Sequence, residues 1–128
     1  MLFRSHLAGD AVLREVAHRV DAEMRISDTG ARFGGDEFAM VLSQATLTDG
    51  ERVAARVLHA VRNLPVAIGK TTAETVTLSI GVAVATPGPG LRDYKVLAER
   101  LIAEADAALY RAKSAGRNRI ATSPNVVG

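Results

Sequence analysis

Three stretches of the chain carry their apolar side chains at the spacing of an amphipathic helix. They predict helices at 11–25, 49–62 and 94–115. The first follows Asp10, a residue type that often caps helices, and the second begins with a capping box formed by Thr48 and Glu51. Gly116 stands where the third helix should end, because glycine readily adopts the left-handed conformation found after helices.

Runs of β-branched and aromatic residues predict a hairpin and two further strands, with a weaker candidate strand around 65–68. The hairpin covers 31–44 with a glycine-led tight turn, and a last strand at 118–122 precedes a polar tail. The strand at 75–85 alternates and then becomes continuously apolar, which is typical of a strand covered on both faces. This order predicts an α+β fold, an α/β sandwich whose mainly antiparallel central sheet is covered by helices.

Composition narrows the function classes. A length of 128 residues gives room for one domain, 1–128, with one core. A formal charge of +2 without any run of like charges indicates no nucleic-acid binding. No apolar stretch approaches the roughly 18–20 residues of a transmembrane helix, so we expect no membrane insertion by this chain. The absence of cysteine fits a reducing compartment, and we expect a cytoplasmic location.

The residues at 32–38, RFGGDEF, carry the strongest chemical signal. Gly34 and Gly35 allow a sharp turn and let a ligand approach the main chain closely. Asp36 and Glu37 are adjacent carboxylates that repel each other, and a divalent cation or a metal-bound phosphate would relieve that repulsion. An exposed acidic turn without a ligand is the alternative, and the spacing of these residues alone favours it.

Four motifs in order along the chain resemble the characteristic segments of one enzyme family. RFGGDEF resembles the signature of the GGDEF diguanylate cyclases, and HLAGDAVL at 6–13 resembles their GHxxGDxVL segment. LSIGVA at 78–83 is similar to their SxGVA strand, and EADAALYRAKSAGRNRI at 104–120 to their closing helix and turn. On these residues the chain is identified as a member of the GGDEF family, which implies a nucleotide-cyclase, ferredoxin-like sheet.

The resemblance implies an enzyme that condenses two GTP molecules into cyclic di-GMP with release of two pyrophosphates. In this family each protomer of a facing homodimer binds one GTP, and each 3′-hydroxyl attacks the opposite α-phosphate with the help of Mg²⁺ or Mn²⁺. Asp36 would be a metal ligand, and Glu37 would assist the attacking hydroxyl or the metal-bound phosphates. Gly34 and Gly35 would let the main chain pass close to the nucleotide.

Three further residues are implied to bind GTP. Asp10 would accept hydrogen bonds from the guanine, although capping of the first helix is a compatible and competing role. Lys113 would bind the β- and γ-phosphates as a point charge, and Arg117 would bind them as a planar fork. Without the matched segment around it, Lys113 would be an ordinary lysine on a helix surface.

The segment RISD at 25–28 stands where many members of the family carry a product-inhibition site. Arg25 would bind phosphate and guanine edges of cyclic di-GMP and Asp28 would bind the guanine, while Arg32 and Arg56 would complete the site. An Arg–Asp pair at a helix end is also a common surface salt bridge, worth at most ~1 kcal/mol. The second interpretation is therefore a catalytically incompetent domain that binds cyclic di-GMP through Arg25 and Asp28. A dimerisation domain without a ligand is the third.

Three segments that open the family pattern are absent here: DxLTGLxNR, a strand that ends in an aspartate, and FKxxND. The resemblance therefore implies an N-terminally truncated domain that lacks the first central strand and, with it, a second metal-ligating carboxylate. For that reason we expect weak or absent GTP turnover by this chain. A sheet without that strand would expose two edges, so we also expect a strand-swapped oligomer or a rearranged sheet that closes the gap.

Overall fold

A computed structural model describes residues 1–5, 10–33, 36–62, 66–68, 72–74 and 76–128. The helices are α1 (Asp10–Ala22), α2 (Leu47–Arg62) and α3 (Tyr94–Ser114). The strands are β1 (Leu2–Ser5), β2 (Thr29–Arg32), β3 (Glu37–Val41), β4 (Val66–Ile68), β5 (Thr72–Glu74), β6 (Leu78–Ala85) and β7 (Arg119–Val127). Within these ranges, no helix has the length and apolar character needed to cross a membrane.

Five strands form the central sheet, in the order β2-β3-β1-β6-β7. Neighbouring strands are antiparallel except for β6 and β7, which are parallel and are connected through α3. The short strands β4 and β5 pair with each other in a separate antiparallel ladder. The predicted α+β architecture with a mainly antiparallel central sheet is confirmed.

Strand β1 lies at the centre of this sheet, between β3 and β6. Leu2 stands opposite Ala39 of β3 and Gly81 of β6, and the Met1 amine donates to the Met40 carbonyl oxygen at 2.9 Å. The prediction that the chain lacks a central strand at this position is therefore wrong. The side chains of the first residues do not match the family's motif. Strand pairing, however, uses main-chain groups, which every residue except proline offers in full.

Because β1 occupies the central position, the sheet has no gap for a rearrangement to close. Both edges of β1 are paired, which removes the two exposed edges that favoured a strand-swapped oligomer. The sequence of β1 is LFRS, and it includes no carboxylate. The strand therefore restores main-chain pairing at the centre of the sheet but supplies none of the acidic oxygen ligands that Mg²⁺ prefers.

The main hydrophobic core fills the space between the sheet and the helices α1 and α2. Fully buried side chains from both layers meet there, including Val16, Met40, Val57, Val61, Leu78 and Ile80. A smaller cluster of Leu2, Ala105 and Leu109 packs α3 against the opposite face. Strand β6 is consequently buried on both faces over 78–82, in keeping with its continuously apolar sequence.

Gly81 lets α3 approach β6 closely. A Cβ atom at this position would overlap the carbonyl oxygen of Ala105 and the amide nitrogen of Leu109. The main chain of α3 therefore lies directly on the strand, in a contact that only glycine permits. This contact sets the distance between α3 and the sheet. It therefore also determines where the C-terminal end of the helix lies.

Helix α1 ends at Ala22, short of the predicted end at 25. The main-chain N–H of Arg25 donates to a carboxylate oxygen of Asp28 at 2.8 Å, so it is not available for a helical hydrogen bond. The Asp28 N–H in turn donates to the Arg25 carbonyl oxygen at 3.0 Å. Residues 25–28 therefore form a compact turn of their own between α1 and β2.

Strand β7 continues to Val127, beyond the predicted end at 122. The residues expected to form a polar tail stay on the sheet, since the Thr86 N–H donates to the Val127 carbonyl oxygen at 2.7 Å. The pairing of β6 with β7 shifts register between Val82 and Val84. Next to this irregularity, the hydroxyl of Ser123 donates to Oε2 of Glu104 on α3 at 2.6 Å, which ties the strand to the helix.

Candidate functional site

Four strand ends meet at one end of the central sheet, which we call the site end. Strand β3 begins there at Glu37 and β1 ends there at Ser5, because the two strands are antiparallel. Strand β6 begins there at Leu78, and the parallel strand β7 begins there at Arg119. Since adjacent strands lie about 4.8 Å apart, the starts of β3 and β7 are separated by roughly 14 Å across the site end.

The acidic turn opens β3 at the site end. Asp36 directly precedes the strand, Glu37 is its first residue, and both are half-buried. The Phe33 N–H donates to the Glu37 carbonyl oxygen at 2.7 Å, which closes the turn between β2 and β3. Gly34 and Gly35 lie outside the described residues, so the close approach of their main chain to a nucleotide stays a prediction.

Helix α1 also begins at the site end, because it follows β1 in the chain. Asp10 is its first residue. The connecting residues 6–9 lie outside the described part of the chain, and Asp10 is described by its main chain alone. The predicted roles of Asp10, as a guanine ligand and as a helix cap, therefore both stay predictions.

The C-terminal end of α3 reaches the site end from the other side. The Ala115 N–H donates to the Arg111 carbonyl oxygen at 2.9 Å, and the Arg117 N–H donates to that of Ala112 at 3.0 Å. Gly116 then has a φ of 124°. Arg117 and Asn118 follow with φ values of 63° and 49°, which are uncommon for residues other than glycine. These three residues turn the chain from α3 into β7.

Two basic residues lie at this turn, Lys113 just before it and Arg117 within it. Lys113 lies in the last turn of α3 and is half-buried, whereas Arg117 is exposed. Among the described residues, neither the Lys113 ammonium nor the Arg117 guanidinium has a hydrogen-bond or ion-pair partner. The site end therefore has a carboxylate pair at the start of β3 and free basic groups before β7. This arrangement suits an anion with a bound metal. The carboxylates would bind the metal, and the basic groups would bind the terminal charge of the anion.

The acidic turn alone does not form a metal cage. Within the described residues, no group of three or more His, Cys, Asp or Glu side chains could hold a metal ion. Asp36 and Glu37 supply two carboxylates, and β1 supplies none. Mg²⁺ is commonly bound by one or two protein carboxylates, with water and substrate phosphates completing its shell. The donor set therefore fits a metal that arrives together with a polyphosphate.

Arg25 and Asp28 form a pair at the far end of β2. The Arg25 Nη2 atom lies 3.1 Å from Asp28 Oδ1, and the same nitrogen donates to the Ser43 carbonyl oxygen at 3.1 Å. The side chain of Asp28 is fully covered, whereas that of Arg25 is 53% exposed. The side-chain hydrogen bond from Arg25 holds the pKa of Asp28 below its usual value. The structure thus contains the surface salt bridge that competed with the ligand-binding interpretation.

Arg56 lies near this pair and Arg32 does not. The Arg56 Nε atom donates to Glu23 Oε2 at 3.2 Å, which brings α2 to the turn that carries Arg25. Arg32 is the last residue of β2, at the end of the strand next to the acidic turn. The three residue steps from Thr29 to Arg32 span roughly 10 Å, and Asp28 lies one residue beyond Thr29, so Arg32 stands well apart from it. Of the four predicted residues, Arg25 and Asp28 are in direct contact, and Arg56 is tied to Glu23, two positions before Arg25.

Arg32 instead borders a groove between α1 and the β2–β3 hairpin. The groove has a volume of about 440 Å³, and its walls include Leu13, Met24 and Phe38. Arg14 and His18 of α1 stand beside it. The groove has no distinct signal in the sequence, because the apolar stripe of α1 predicts a core face equally well.

The family model described as "Diguanylate cyclase, GGDEF domain" matches residues 4–119 of the chain. Diguanylate cyclase A of Treponema denticola is 39% identical over 121 residues, which cover 94% of this chain and 30% of that protein. The response regulator PleD of Caulobacter vibrioides is 39% identical over 117 residues, covering 90% of this chain and 24% of PleD. The chain thus spans about a quarter to a third of the length of these two relatives.

Solved structures share the fold. The GGDEF domain of YfiN from Pseudomonas aeruginosa superposes with a TM-score of 0.81 at 27% identity, covering 97% of this chain and 80% of that one. The diguanylate cyclase SiaD of the same organism, solved with its activator SiaC, gives 0.77 at 32% identity over 94% of this chain and 48% of SiaD. The GGDEF domain of DgcB from Caulobacter crescentus, solved in complex with c-di-GMP, gives 0.82 at 24% identity, with coverage of 97% and 74%.

Proposed function

Because the chain belongs to the GGDEF family of diguanylate cyclases, we propose that it binds GTP with a divalent metal at the site end and condenses it slowly to cyclic di-GMP. One observation carries this proposal. A carboxylate turn and two cations that have no side-chain partner among the described residues converge on the same end of one sheet from sequence positions about 80 residues apart. Two GTP molecules would give one cyclic di-GMP and two pyrophosphates.

Each predicted residue has a role that its position supports. Asp36 would ligate Mg²⁺ or Mn²⁺, with Glu37 next to it facing the attacking hydroxyl or the bound phosphates. Lys113 and Arg117 would bind the β- and γ-phosphates, and Asp10 would accept hydrogen bonds from the guanine. When bound, the metal would offset charge on the α-phosphate. The lack of a carboxylate on β1 leaves this metal short of one protein ligand, which accounts for slow turnover.

The reaction requires two copies of the domain. Each chain offers one acidic turn and one pair of phosphate-binding cations, enough for a single GTP. The 3′-hydroxyl of that GTP must reach the α-phosphate of a second GTP, which a facing homodimer would present. Catalysis therefore rises with the square of the protein concentration while the domain is mainly monomeric.

The test is calorimetric titration of GTP into the chain with and without Mg²⁺, comparing wild type with Asp36→Asn. We expect the variant to lose at least about 1.4 kcal/mol of the Mg²⁺-dependent affinity, a factor of ten. The thermal midpoint should stay nearly unchanged, since removal of one of two repelling carboxylates costs little. Glu51→Gln, which alters an exposed carboxylate on α2, is the matched control and should bind GTP as the wild type does. Equal Mg²⁺ dependence in Asp36→Asn and wild type would refute the metal assignment.

A second candidate function is the binding of cyclic di-GMP without catalysis. The observation that favours it is that the side chains of Arg25 and of Arg56, which bonds to Glu23 two positions before Arg25, are 53% and 54% exposed. Arginine forks of this kind suit phosphate diesters and the edge of guanine. In this function the domain would act as a receptor or regulatory module.

Titration with cyclic di-GMP tests this candidate. Arg25→Ala should weaken binding by roughly 1.5–3 kcal/mol, the range for hydrogen bonds to charged groups, and should leave GTP affinity unchanged. Arg52→Ala, at an exposed arginine on α2, is the matched control. If wild type and Arg25→Ala bind cyclic di-GMP equally, Arg25 is a surface salt-bridge residue only.

A further inference from the structure

The side chain of Arg119 folds back over the turn that precedes it. Its Nε atom donates to the Arg117 carbonyl oxygen at 3.0 Å. Its Nη2 atom lies beside Gly116, where an added Cβ would come within 2.8 Å of it. The guanidinium of Arg119 therefore fills the space that the absent side chain of Gly116 leaves open, and it bonds to the next residue of the turn.

This turn needs such support. Arg117 and Asn118 have positive φ values of 63° and 49°, a conformation that surrounding contacts must hold in residues other than glycine. The Arg117 N–H is held by the Ala112 carbonyl oxygen at 3.0 Å. Its carbonyl oxygen is held by Arg119. Both polar main-chain groups of Arg117 are thus fixed, one by α3 and one by a side chain of β7.

We propose that Arg119 is a positioning residue for Arg117: it holds the main chain of Arg117 in the left-handed conformation and so directs the Arg117 guanidinium toward a bound polyphosphate. This inference rests on the proposed function, in which Arg117 binds the terminal phosphates of GTP. Since Arg117 is exposed and has no side-chain partner among the described residues, its backbone conformation is the main constraint on where its guanidinium is presented.

A direct role for Arg119 is the alternative, because its own charge lies near the same turn. Two substitutions separate the roles. Glutamine places an N–H donor at the same number of bonds from Cα as the arginine Nε, without the charge. Lysine keeps the charge but has no donor at that position. A positioning role is therefore retained by Arg119→Gln and lost in Arg119→Lys, and a direct phosphate contact shows the reverse.

The experiment measures GTP and GMP affinity for wild type, Arg117→Met, Arg119→Met, Arg119→Gln and Arg119→Lys. Since a hydrogen bond contributes about 0.5–1.5 kcal/mol, we expect Arg119→Met and Arg119→Lys to weaken GTP binding by roughly two- to tenfold. Arg119→Gln should bind GTP nearly as the wild type does, and GMP affinity should be the same in all five proteins. Arg100→Met, at an exposed arginine of α3, controls for the loss of a positive charge.

A second measurement does not depend on GTP. Hydrogen exchange of the Arg117 amide should accelerate in Arg119→Met and keep its protection in Arg119→Gln, because the amide bond to Ala112 is held by the same turn. Equal protection in wild type and Arg119→Met overturns the inference. If Arg117→Met binds GTP as tightly as wild type, the proposed phosphate site fails instead. If Arg117→Met is weakened and Arg119→Met is not, only the positioning role fails.

Discussion

Arg25 and Arg117 are both predicted to bind phosphate, but within the described residues only the guanidinium of Arg25 is paired with a carboxylate. Arg25 donates through Nε and Nη2 to Asp28 and through Nη2 to the Ser43 carbonyl oxygen. Arg117 has a main chain fixed at both polar groups and, among the described residues, a guanidinium without any partner. One arginine has its side chain engaged, and the other has only its backbone engaged.

The difference bears on the net free energy of ligand binding. A phosphate at Arg25 would have to replace the bonds to Asp28, so the gain is the difference between two charge-assisted interactions. A phosphate at Arg117 would replace water alone, and the conformational restriction of its backbone is present before binding. Of the two predicted phosphate sites, the one at Arg117 is therefore the better prepared.

The largest expected effect comes from Gly81→Ala, which would displace α3 and with it the turn that carries Arg117. The new methyl group would overlap the main chain of α3 at Ala105 and Leu109 and would push the helix off the sheet. We expect a loss of about 1–3 kcal/mol in the free energy of unfolding, the cost of overpacking a core. Denaturant unfolding measures this loss, and hydrogen exchange should show faster opening of α3.

Gly88→Ala is the matched control for that substitution. A Cβ atom at Gly88 would meet no atom within 4 Å. The same chemical change should therefore leave stability unchanged or slightly raise it through reduced freedom of the unfolded chain. If Gly81→Ala and Gly88→Ala unfold at the same free energy, α3 does not depend on contact with Gly81, and its C-terminal end is not fixed by the sheet.

A smaller effect is expected at the pair of Arg25 and Asp28. The hydrogen bond from Arg25 lowers the pKa of Asp28 from its ordinary 3.8 in the folded chain. A depressed folded pKa gives stability that is present above the unfolded pKa and is lost as pH falls through the folded pKa. The stability advantage of wild type over Asp28→Asn should therefore shrink as pH is lowered from 5 to below 3.8.

Urea unfolding at several pH values measures this loss. In an Arg25→Met background the same Asp28→Asn change should show a much weaker dependence on pH, because the main partner of the carboxylate is gone. An equal pH dependence in the two backgrounds would show that the pair contributes nothing, and Arg25 would then be as available to a ligand as Arg117.

Much of the fold was predictable from local signals. The apolar periodicity of α2 and α3 and the glycine at 116 locate both helices closely, since amphipathic spacing and C-terminal glycine act over a few residues. The end of α1 was not predictable in this way. It depends on whether the Arg25 N–H bonds to Asp28 or continues the helix, and helix propensity alone does not decide between these.

Long-range features could not be predicted from the sequence for a different reason. The pairing of β1 with two strands uses main-chain groups, so the side chains of LFRS carry little sign of it. The hydrogen bond of Arg119 to its own turn likewise has no motif. Of the site, the acidic turn and the cations at the end of α3 and in the turn after it were indicated by their resemblance to the family's motifs. Their convergence at one end of the sheet follows only from strand directions.

The central position of β1 also governs how the domain folds. Leu2 pairs with Ala39 and Gly81, which lie 37 and 79 positions further along the chain (39 − 2 and 81 − 2). Loops of that length must close before either contact is gained, and the entropy lost in closing them slows folding. Strand β1, which joins the two halves of the sheet, is thus translated before β3 and β6 and can pair with them only after they have been made. We therefore expect this pairing to be among the contacts that slow the folding of the domain.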